Sequence, residues 1–336
     1  MVKKSLLVVL VGFMVISLGT AGIAHASLTE FMTFVGNVGY SSDGFGSTTQ
    51  SGTISASVPL GATVLAAYLY SGYNAFSGAP TPAGTTLNGF AVAFGPNVNN
   101  ATGCCGIGSA RADVTGIVKP IIDGGGGGIY DFLVNEGSGG QDGEALVVVY
   151  SHPALPVATV GILDGFASVT GDATAINFAD PLHPADAGFF AEMIIGDNFS
   201  CCGQRSTITV NGTTITENAG NFDDGLQLAN GSLITVGGFN DPFSRFLPSY
   251  AEDHERYNLV PQIVDGDTTI GVTTFNASRD DNIFLALFHV RGRAGINEEP
   301  PDGDGNPVIP EPSSMLLLGS GLAFAGFRRK RNRNLF

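Results

Sequence analysis

Two vicinal cysteine pairs are the side chains of this sequence best suited to covalent chemistry. They are Cys104-Cys105 and Cys201-Cys202, and in an exported chain an even number of cysteines predicts disulfides. Two of the three possible pairings cross-link the pairs, and the third closes each pair on itself through a strained ring. We expect cross-linking, with vicinal bridges as the alternative. A site of four thiolates is disfavoured because adjacent cysteines lack the gap of two to four residues usual for zinc.

Acidic loops offer a second kind of chemistry, the binding of a hard cation. Carboxylate and amide oxygens cluster in Asp223-Asp224, in Asp280-Asp281-Asn282 and in the segment 302–306. Such oxygens suit Ca²⁺, but none of the clusters completes an EF-hand loop, which needs a glutamate at its twelfth position. Solvated turns are the better explanation of them. We therefore predict no metal site and no cofactor, and Ca²⁺ is the one cation kept as a candidate.

Catalytic motifs are missing from the sequence. It contains no Gly-x-Ser-x-Gly elbow and no His-Glu-x-x-His motif. The glycine run 124–128 is not followed by Lys-Ser/Thr, so a phosphate-binding loop is not predicted. A carboxylate pair for glycoside hydrolysis would meet only in the fold. We predict no catalytic residue and a protein that is not an enzyme.

The elements that must position these residues read as β-strands almost throughout. Thr207 to Thr216 alternates β-branched residues around Asn211-Gly212, the turn pair typical of a two-residue hairpin. Asn88-Gly89 and Asn230-Gly231 offer two further turns of this type. Between the two ends of the chain, the only helix predicted, Ala251 to Tyr257, follows a capping-box spacing. Four runs read as strands, several of them apolar on both faces and so buried: Val64 to Tyr70, Ala145 to Tyr150, Ile270 to Phe275 and Ile283 to Val290.

Similar patterns follow each other in the same order in both halves of the chain. A strand at 66–70, the turn at Asn88-Gly89 and a strand at 145–150 correspond to 191–195, Asn211-Gly212 and 283–288. We predict an all-β protein of two tandem β-sandwiches, 28–152 and 157–293, with a flexible linker over 294–309. One large sandwich is the alternative.

The element order resembles that of jelly-roll galactose-binding-like modules. The resemblance rests on the strand 67–70, on Asn88-Gly89 and on Asp113-Val114-Thr115 before the last strands. It implies jelly-roll-like sandwiches and a surface that binds carbohydrate, although the chain has no tryptophan for stacking on sugars. The body is also similar to uncharacterised secreted surface domains of bacteria and archaea.

The N-terminus has the three parts of a secretory signal peptide. Lys3-Lys4 precede an apolar stretch from Leu6 to Leu18, and Ala24 and Ala26 form a small-x-small cleavage site. We therefore predict a signal helix within 1–26, removed before Ser27.

The last 27 residues also have three parts in a fixed order. A motif of Pro310, Glu311 and Pro312 precedes an apolar span, 313–327, for which we predict a short transmembrane helix. At ~1.5 Å per residue this helix is about 22 Å long, shorter than the ~30 Å hydrocarbon core. The basic membrane stop should stay in the cytoplasm and place the rest of the chain outside. This stop consists of Arg328, Arg329, Lys330 and Arg331.

This tail, 310–336, resembles the PEP-CTERM sorting signal of exported proteins in biofilm-forming Gram-negative bacteria. The resemblance implies that exosortase, a membrane protease-transpeptidase, recognises and removes it. It also implies transit through the inner membrane, transient anchoring by the C-terminal helix, and delivery to the cell surface or extracellular matrix. An ordinary tail anchor that is never processed is the alternative.

Removing both ends makes the body strongly acidic. The whole chain has a formal charge of −15, but seven of its 15 basic residues lie in the two ends. Eight basic and 29 acidic residues remain, a charge of −21, which excludes nucleic acid as a partner. We predict a structural or interaction protein of the biofilm exopolysaccharide matrix. A carbohydrate-binding module is the alternative, and a secreted glycan hydrolase is a weaker one.

Overall fold

The computed structural model describes residues 27–46, 49–74, 82–96, 98–99, 107–137, 140–168, 170–198, 206–220, 233–239, 255–276 and 283–300. Strands dominate these residues, which confirms the predicted all-β class. The predicted signal helix and C-terminal membrane helix lie outside the described residues. Within the described ranges, no helix is both long and apolar enough to cross a membrane.

The strands form four sheets, and all pairings within them are antiparallel. Inner sheet 1 has the order β2 (Val38–Phe45), β10 (Gln141–Ser151), β4 (Thr63–Asn74), β8 (Ile107–Asp113), β7 (Val98–Asn99). Outer sheet 1 has the order β3 (Ser51–Val58), β9 (Gly128–Asn135), β5 (Thr86–Leu87), β6 (Phe90–Ala91). Inner sheet 2 has the order β1 (Thr29–Gly36), β11 (Ala158–Asp164), β19 (Ile283–Arg291), β13 (Ala191–Asn198), β16 (Ile234–Val236), and β17 (Arg256–Asn258) also pairs with β13. Outer sheet 2 has the order β15 (Thr213–Ala219), β14 (Ser206–Val210), β18 (Thr269–Phe275), β12 (Asp172–Phe178), β20 (Ala294–Ile296).

Three apolar clusters stack these sheets into four layers. Val148 of β10 packs in the cluster between outer sheet 1 and inner sheet 1. Its neighbour Val147 points the other way, into the cluster between the two inner sheets, because side chains alternate along a strand. A third cluster, with Ile195, lies between inner sheet 2 and outer sheet 2. The inner strands are thus buried on both faces, as their apolar runs predict.

The strand order is the same in both halves. In the first half β2, β3, β4, β5, β6, β8, β9 and β10 take the positions one to eight. The inner sheet then reads first, eighth, third, sixth, and the outer sheet second, seventh, fourth, fifth. Strands β11, β12, β13, β14, β15, β17, β18 and β19 repeat this order, which is that of a double-sheet jelly roll. Leu87 and Val210, which one sandwich would pair in a sheet, lie in two different outer sheets.

The N-terminal strand joins the half of the molecule that follows later in sequence. β1 pairs with β11, whereas β2 begins after only Asn37 and pairs with β10. The Asn37 amide donates to the Leu155 carbonyl at 2.5 Å, and the Asn37 carbonyl accepts from His152 N at 2.9 Å. The chain therefore crosses between the inner sheets beside the connection from β10 to β11. The segment 28–152, predicted as one domain, includes a strand whose partner belongs to the other half.

The helix predictions differ from the structure. The α-helix of the described part is α1, Thr115–Gly125, and a 3-10 turn spans Val260–Gln262. The prediction of a helix over Ala251 to Tyr257 is wrong at its end, since Arg256 and Tyr257 lie in β17; residues 251–254 lie outside the described ranges. Tyr257 pairs with Met193 and is buried, so sheet pairing outweighs the local capping signal.

Both hairpins predicted within the described residues are confirmed. Asn88-Gly89 joins β5 to β6, and Asn211-Gly212 joins β14 to β15. Each asparagine has a φ near +50° and each glycine a φ near +80°, which is what a turn with two left-handed residues requires. The third turn, at Asn230-Gly231, lies outside the described residues.

Candidate functional site

The site residues predicted from the sequence lie outside the described ranges. They are Ala24 and Ala26, the four cysteines Cys104, Cys105, Cys201 and Cys202, the motif Pro310, Glu311 and Pro312, and the basic stop Arg328, Arg329, Lys330 and Arg331. The acidic clusters at 223–224, 280–282 and 302–306 lie outside them as well. What the structure brings together instead are three groups of polar side chains that the sequence analysis did not single out.

The first group, the acid cluster, consists of Glu136, Asp142 and Glu144 at the end of the first sandwich. Glu136 follows β9, and the other two lie at the start of β10, where the pairing with β4 has an irregularity. Glu144 is fully buried, and its Oε1 lies 2.6 Å from Gln141 Nε2 and 3.1 Å from Ser71 Oγ. Three carboxylate oxygens are buried and have no hydrogen-bond partner among the described residues: Oε2 of Glu144, Oε1 of Glu136 and Oδ2 of Asp142.

Burial makes the acid cluster retain protons. It raises the pKa of Glu136 to about 9, that of Glu144 to about 8 and that of Asp142 to about 7. Repulsion between the carboxylates adds to the pKa of both glutamates. Among the described residues, no group of three or more His, Cys, Asp or Glu side chains is arranged to hold a metal ion. The raised pKa values mean that these carboxyls can bind protons near neutral pH.

The second group, the seam network, consists of Glu192, Arg256, His289 and Tyr40 where the inner sheets meet. Arg256 Nε and Nη2 donate to Glu192 Oε2 at 2.9 and 2.6 Å, and His289 Nδ1 donates to Oε1 at 3.0 Å. The Tyr40 ring meets the His289 ring edge-on at 5.4 Å. Burial alone would raise the pKa of Glu192, but the His289 hydrogen bond and the Arg256 charge hold it below its usual value. The network ties β13, β17 and β19 to β2 of the other inner sheet.

The third group lines a cavity of about 230 Å³, the seam cleft, at the edge of the two inner sheets. Arg111 of β8 forms an ion pair with Asp164 at the end of β11. Tyr70 OH donates to Asp164 Oδ2 at 3.3 Å, and the Phe31 ring covers the guanidinium at 3.3 Å from its centroid. Burial lowers the pKa of Arg111, yet about a third of its side chain stays exposed. The cleft thus offers a donor and an acceptor side by side.

A second cavity, of about 180 Å³, lies beside outer sheet 2. His183 Nδ1 lies 2.8 Å from Asp265 Oδ1, and the hydrogen bond and charge of Asp265 raise the pKa of His183. Both side chains are more than half exposed. Solvent therefore screens this pair, and surface ion pairs of this kind contribute little to stability or binding.

One feature of the sequence could have pointed to the seam network and to the seam cleft. The body has only eight basic residues, so each of its arginines is a scarce partner for a buried carboxylate. Arg111 and Arg256 both lie in strands, and each forms an ion pair across strands. The partners Asp164 and Glu192 are far away in sequence, and nothing local marks them.

Comparison with known families identifies the C-terminal tail. A model of the PEP-CTERM protein-sorting motif matches residues 308–331, which include Pro310-Glu311-Pro312, the apolar span and the basic stop through Arg331. The chain carries a PEP-CTERM sorting signal. This signal makes the protein an exported one, sorted by exosortase to the cell surface or beyond. The sequence matches no curated protein.

The PEP-CTERM signal also bears on the cysteines, because export takes them to an oxidising compartment. Gly108 follows Cys105 by three residues, and Asn198 precedes Cys201 by three. The Asn198 amide donates to the Gly108 carbonyl at 3.4 Å, so the two described ends next to the cysteines are in contact. The disulfide pairing stays a prediction, and the contact supports the cross-linked alternatives.

Proposed function

We propose that the protein is a structural or interaction component of the cell surface or the exopolysaccharide matrix, delivered by exosortase processing. The PEP-CTERM signal at 308–331 carries this proposal. The fold of the body supports the proposal, because a buried hydrophobic cluster joins the two inner sheets. Two sandwiches that share a buried face act as one rigid unit, which suits a protein that works through its surfaces.

A substitution in the sorting motif tests the delivery step. Replacing Pro310, Glu311 and Pro312 by alanine should leave the tail uncleaved and hold the protein in the membrane fraction. The matched control replaces Glu299, Pro300 and Pro301, which have the same composition, and should be processed like the parent. Fractionation and immunoblotting of the producing strain read the result. Equal processing of both variants would show that the motif is not what exosortase recognises.

We also propose that signal cleavage before Ser27 completes an ion pair. Ser27 Oγ donates to Asp172 Oδ1 at 2.5 Å, and the amides of Leu28 and Ser168 donate to Oδ2 at 3.4 and 2.6 Å. A new ammonium group at Ser27 would therefore form beside this carboxylate and hold the start of β1.

Asp172→Asn tests this ion pair. We expect the substitution to lower the free energy of unfolding of the mature protein by about 1–2 kcal/mol. In a form that carries extra residues before Ser27 the loss should be smaller by about 1 kcal/mol, since the ammonium is displaced. Urea unfolding of the four proteins measures both losses. Equal losses in the mature and extended forms would contradict the ion pair.

A carbohydrate-binding module is the second candidate. The jelly-roll strand order and the seam cleft favour it, because the cleft combines a paired Arg111 and Asp164 with apolar walls. A glycan hydrolase has less support: no member of the acid cluster lines either described cavity. We propose no cofactor, and Ca²⁺ stays a candidate only for the acidic loops.

A further inference from the structure

The seam cleft is built from both halves of the molecule. Arg111 and Ser109 come from β8 of inner sheet 1, and Asp164 and Gly165 come from the end of β11 in inner sheet 2. Ser109 Oγ donates to the Gly165 carbonyl at 3.3 Å, which links the two sides of the cleft. The cavity therefore lies where the two sandwiches meet.

The two charged side chains of the cleft, Arg111 and Asp164, neutralise each other. Within the described residues, Arg111 has Asp164 as its ionic partner, and Phe31 covers one face of the guanidinium. A guanidinium has five N–H donors, so the pair leaves donors beside the acceptor oxygens of Asp164. A ligand that both donates and accepts at neighbouring atoms can bind such a pair without breaking it. Adjacent hydroxyl groups on a ring have this property.

Charge argues against the other ligand classes. An anion would compete with Asp164 for Arg111 and would approach a body with a charge of −21. A cation would compete with Arg111 for Asp164 and would leave a half-buried arginine without its partner, which is costly. A neutral ligand avoids both penalties.

Size limits the ligand to one ring. A cavity of about 230 Å³ lies below the ~300–1,000 Å³ of pockets for drug-sized ligands. Pro96 and Val98 supply apolar surface at its rim, and Val98 is 39% exposed. The apolar face of a ring can pack there while its hydroxyls reach Arg111 and Asp164.

We propose that the seam cleft binds a single neutral sugar unit of a polysaccharide through adjacent hydroxyls on Arg111 and Asp164. This inference rests on the second proposed function and names its site and ligand class. It assigns Arg111 and Asp164 as binding residues, Tyr70 as the residue that positions Asp164, and Val98 as part of the rim.

Titration of the secreted protein with methyl glycosides tests the site. Methyl glucoside, methyl galactoside and methyl mannoside are followed by NMR, with glucuronate as the charged comparison. At least one neutral glycoside should bind, and glucuronate should bind at least about tenfold more weakly. Asp164→Asn should weaken the binding by about tenfold or more, because a charge-assisted hydrogen bond is lost.

A second variant separates the site from folding. Val98→Trp fills the rim from an exposed position and should abolish binding, whereas Val264→Trp, at an exposed valine outside the cleft, should leave it unchanged. Circular dichroism confirms that each variant is folded. The inference is overturned if no neutral glycoside binds, or if folded Val98→Trp binds like the parent. The two failures are distinguishable: binding that Val98→Trp retains would place the sugar site elsewhere, whereas no binding of any neutral glycoside would contradict the second proposed function itself.

Discussion

Arg256→Met is expected to lower the free energy of unfolding by about 3–5 kcal/mol, because it leaves Glu192 buried without its main counter-charge. Arg256 donates twice to Glu192 Oε2, and only 9% of the Glu192 side chain is exposed. The hydrogen bond between His289 Nδ1 and Glu192 Oε1 would remain. The loss should appear in the seam between the inner sheets and so affect both sandwiches. Urea unfolding followed by circular dichroism measures it.

Two further variants make the Arg256 result specific. Arg291→Met removes an arginine that donates to the Ala187 carbonyl at the surface, and it should cost less than about 1 kcal/mol. Adding Glu192→Gln to Arg256→Met removes the unpaired charge and should restore part of the lost stability. If Arg256→Met costs no more than Arg291→Met, the network does not hold the seam.

Stability is expected to fall steadily as the pH rises from about 5 to about 9. Unfolded glutamate and aspartate release their protons near 4.5 and 3.8, whereas the folded acid cluster releases them at about 7 to 9. Between these values the folded state holds protons that the unfolded state has lost. Each such proton lowers the free energy of unfolding by about 1.4 kcal/mol per pH unit. The stabilisation from these protons is complete below about pH 4 and is lost as the pH rises through the pKa values of the folded acid cluster.

Chemical denaturation at several pH values, with EDTA present to exclude metal ions, measures this slope. Asp43 adds to it below pH 6, because burial raises the pKa of that carboxyl to about 6. Glu144→Gln removes one titrating group and should flatten the slope above pH 6, whereas Glu217→Gln, at an exposed strand position, should leave it unchanged. A stability that is level or increases between pH 5 and 9 would contradict the protonated cluster.

Those parts of the fold that depend on local chemistry were predictable from the sequence. The Asn-Gly turns at 88–89 and 211–212 appear because few other residue pairs adopt two positive φ angles. The run 145–150 was predicted to be buried on both faces, and Val147 and Val148 do pack in two different clusters. The repeat could be recognised because strands and Asn-Gly turns follow each other in the same order in both halves.

Helix α1 could not be predicted because its own residues oppose it. Gly116, Pro120 and Gly124 all have low helix propensity, and the N-cap residue Val114 has no side chain that can cap the helix. Packing stabilises it instead: Val118 and Ile122 are fully buried in the cluster beneath outer sheet 1. This is a contribution of tertiary structure that no local pattern records.

The candidate site was equally hidden from the sequence. Asp164 and Arg111 lie 53 residues apart and belong to different sheets, so only the stacking of the two sandwiches brings them together. Asp142 and Glu144 flank Gly143, and no local pattern marks either as buried. Their burial follows from the irregular start of β10, where Gly143 has a φ of 155°. The burial and pairing of these side chains are set by the packing of complete sheets, which the local sequence does not show.

The mass of the intact exported protein tests delivery by exosortase most directly. Mass spectrometry of the protein from a strain with exosortase should give a chain that starts at Ser27 and ends before the apolar span at 313–327. The same strain without exosortase should give a chain that keeps its tail to Phe336. A tail that remains intact in both strains would contradict the proposed sorting.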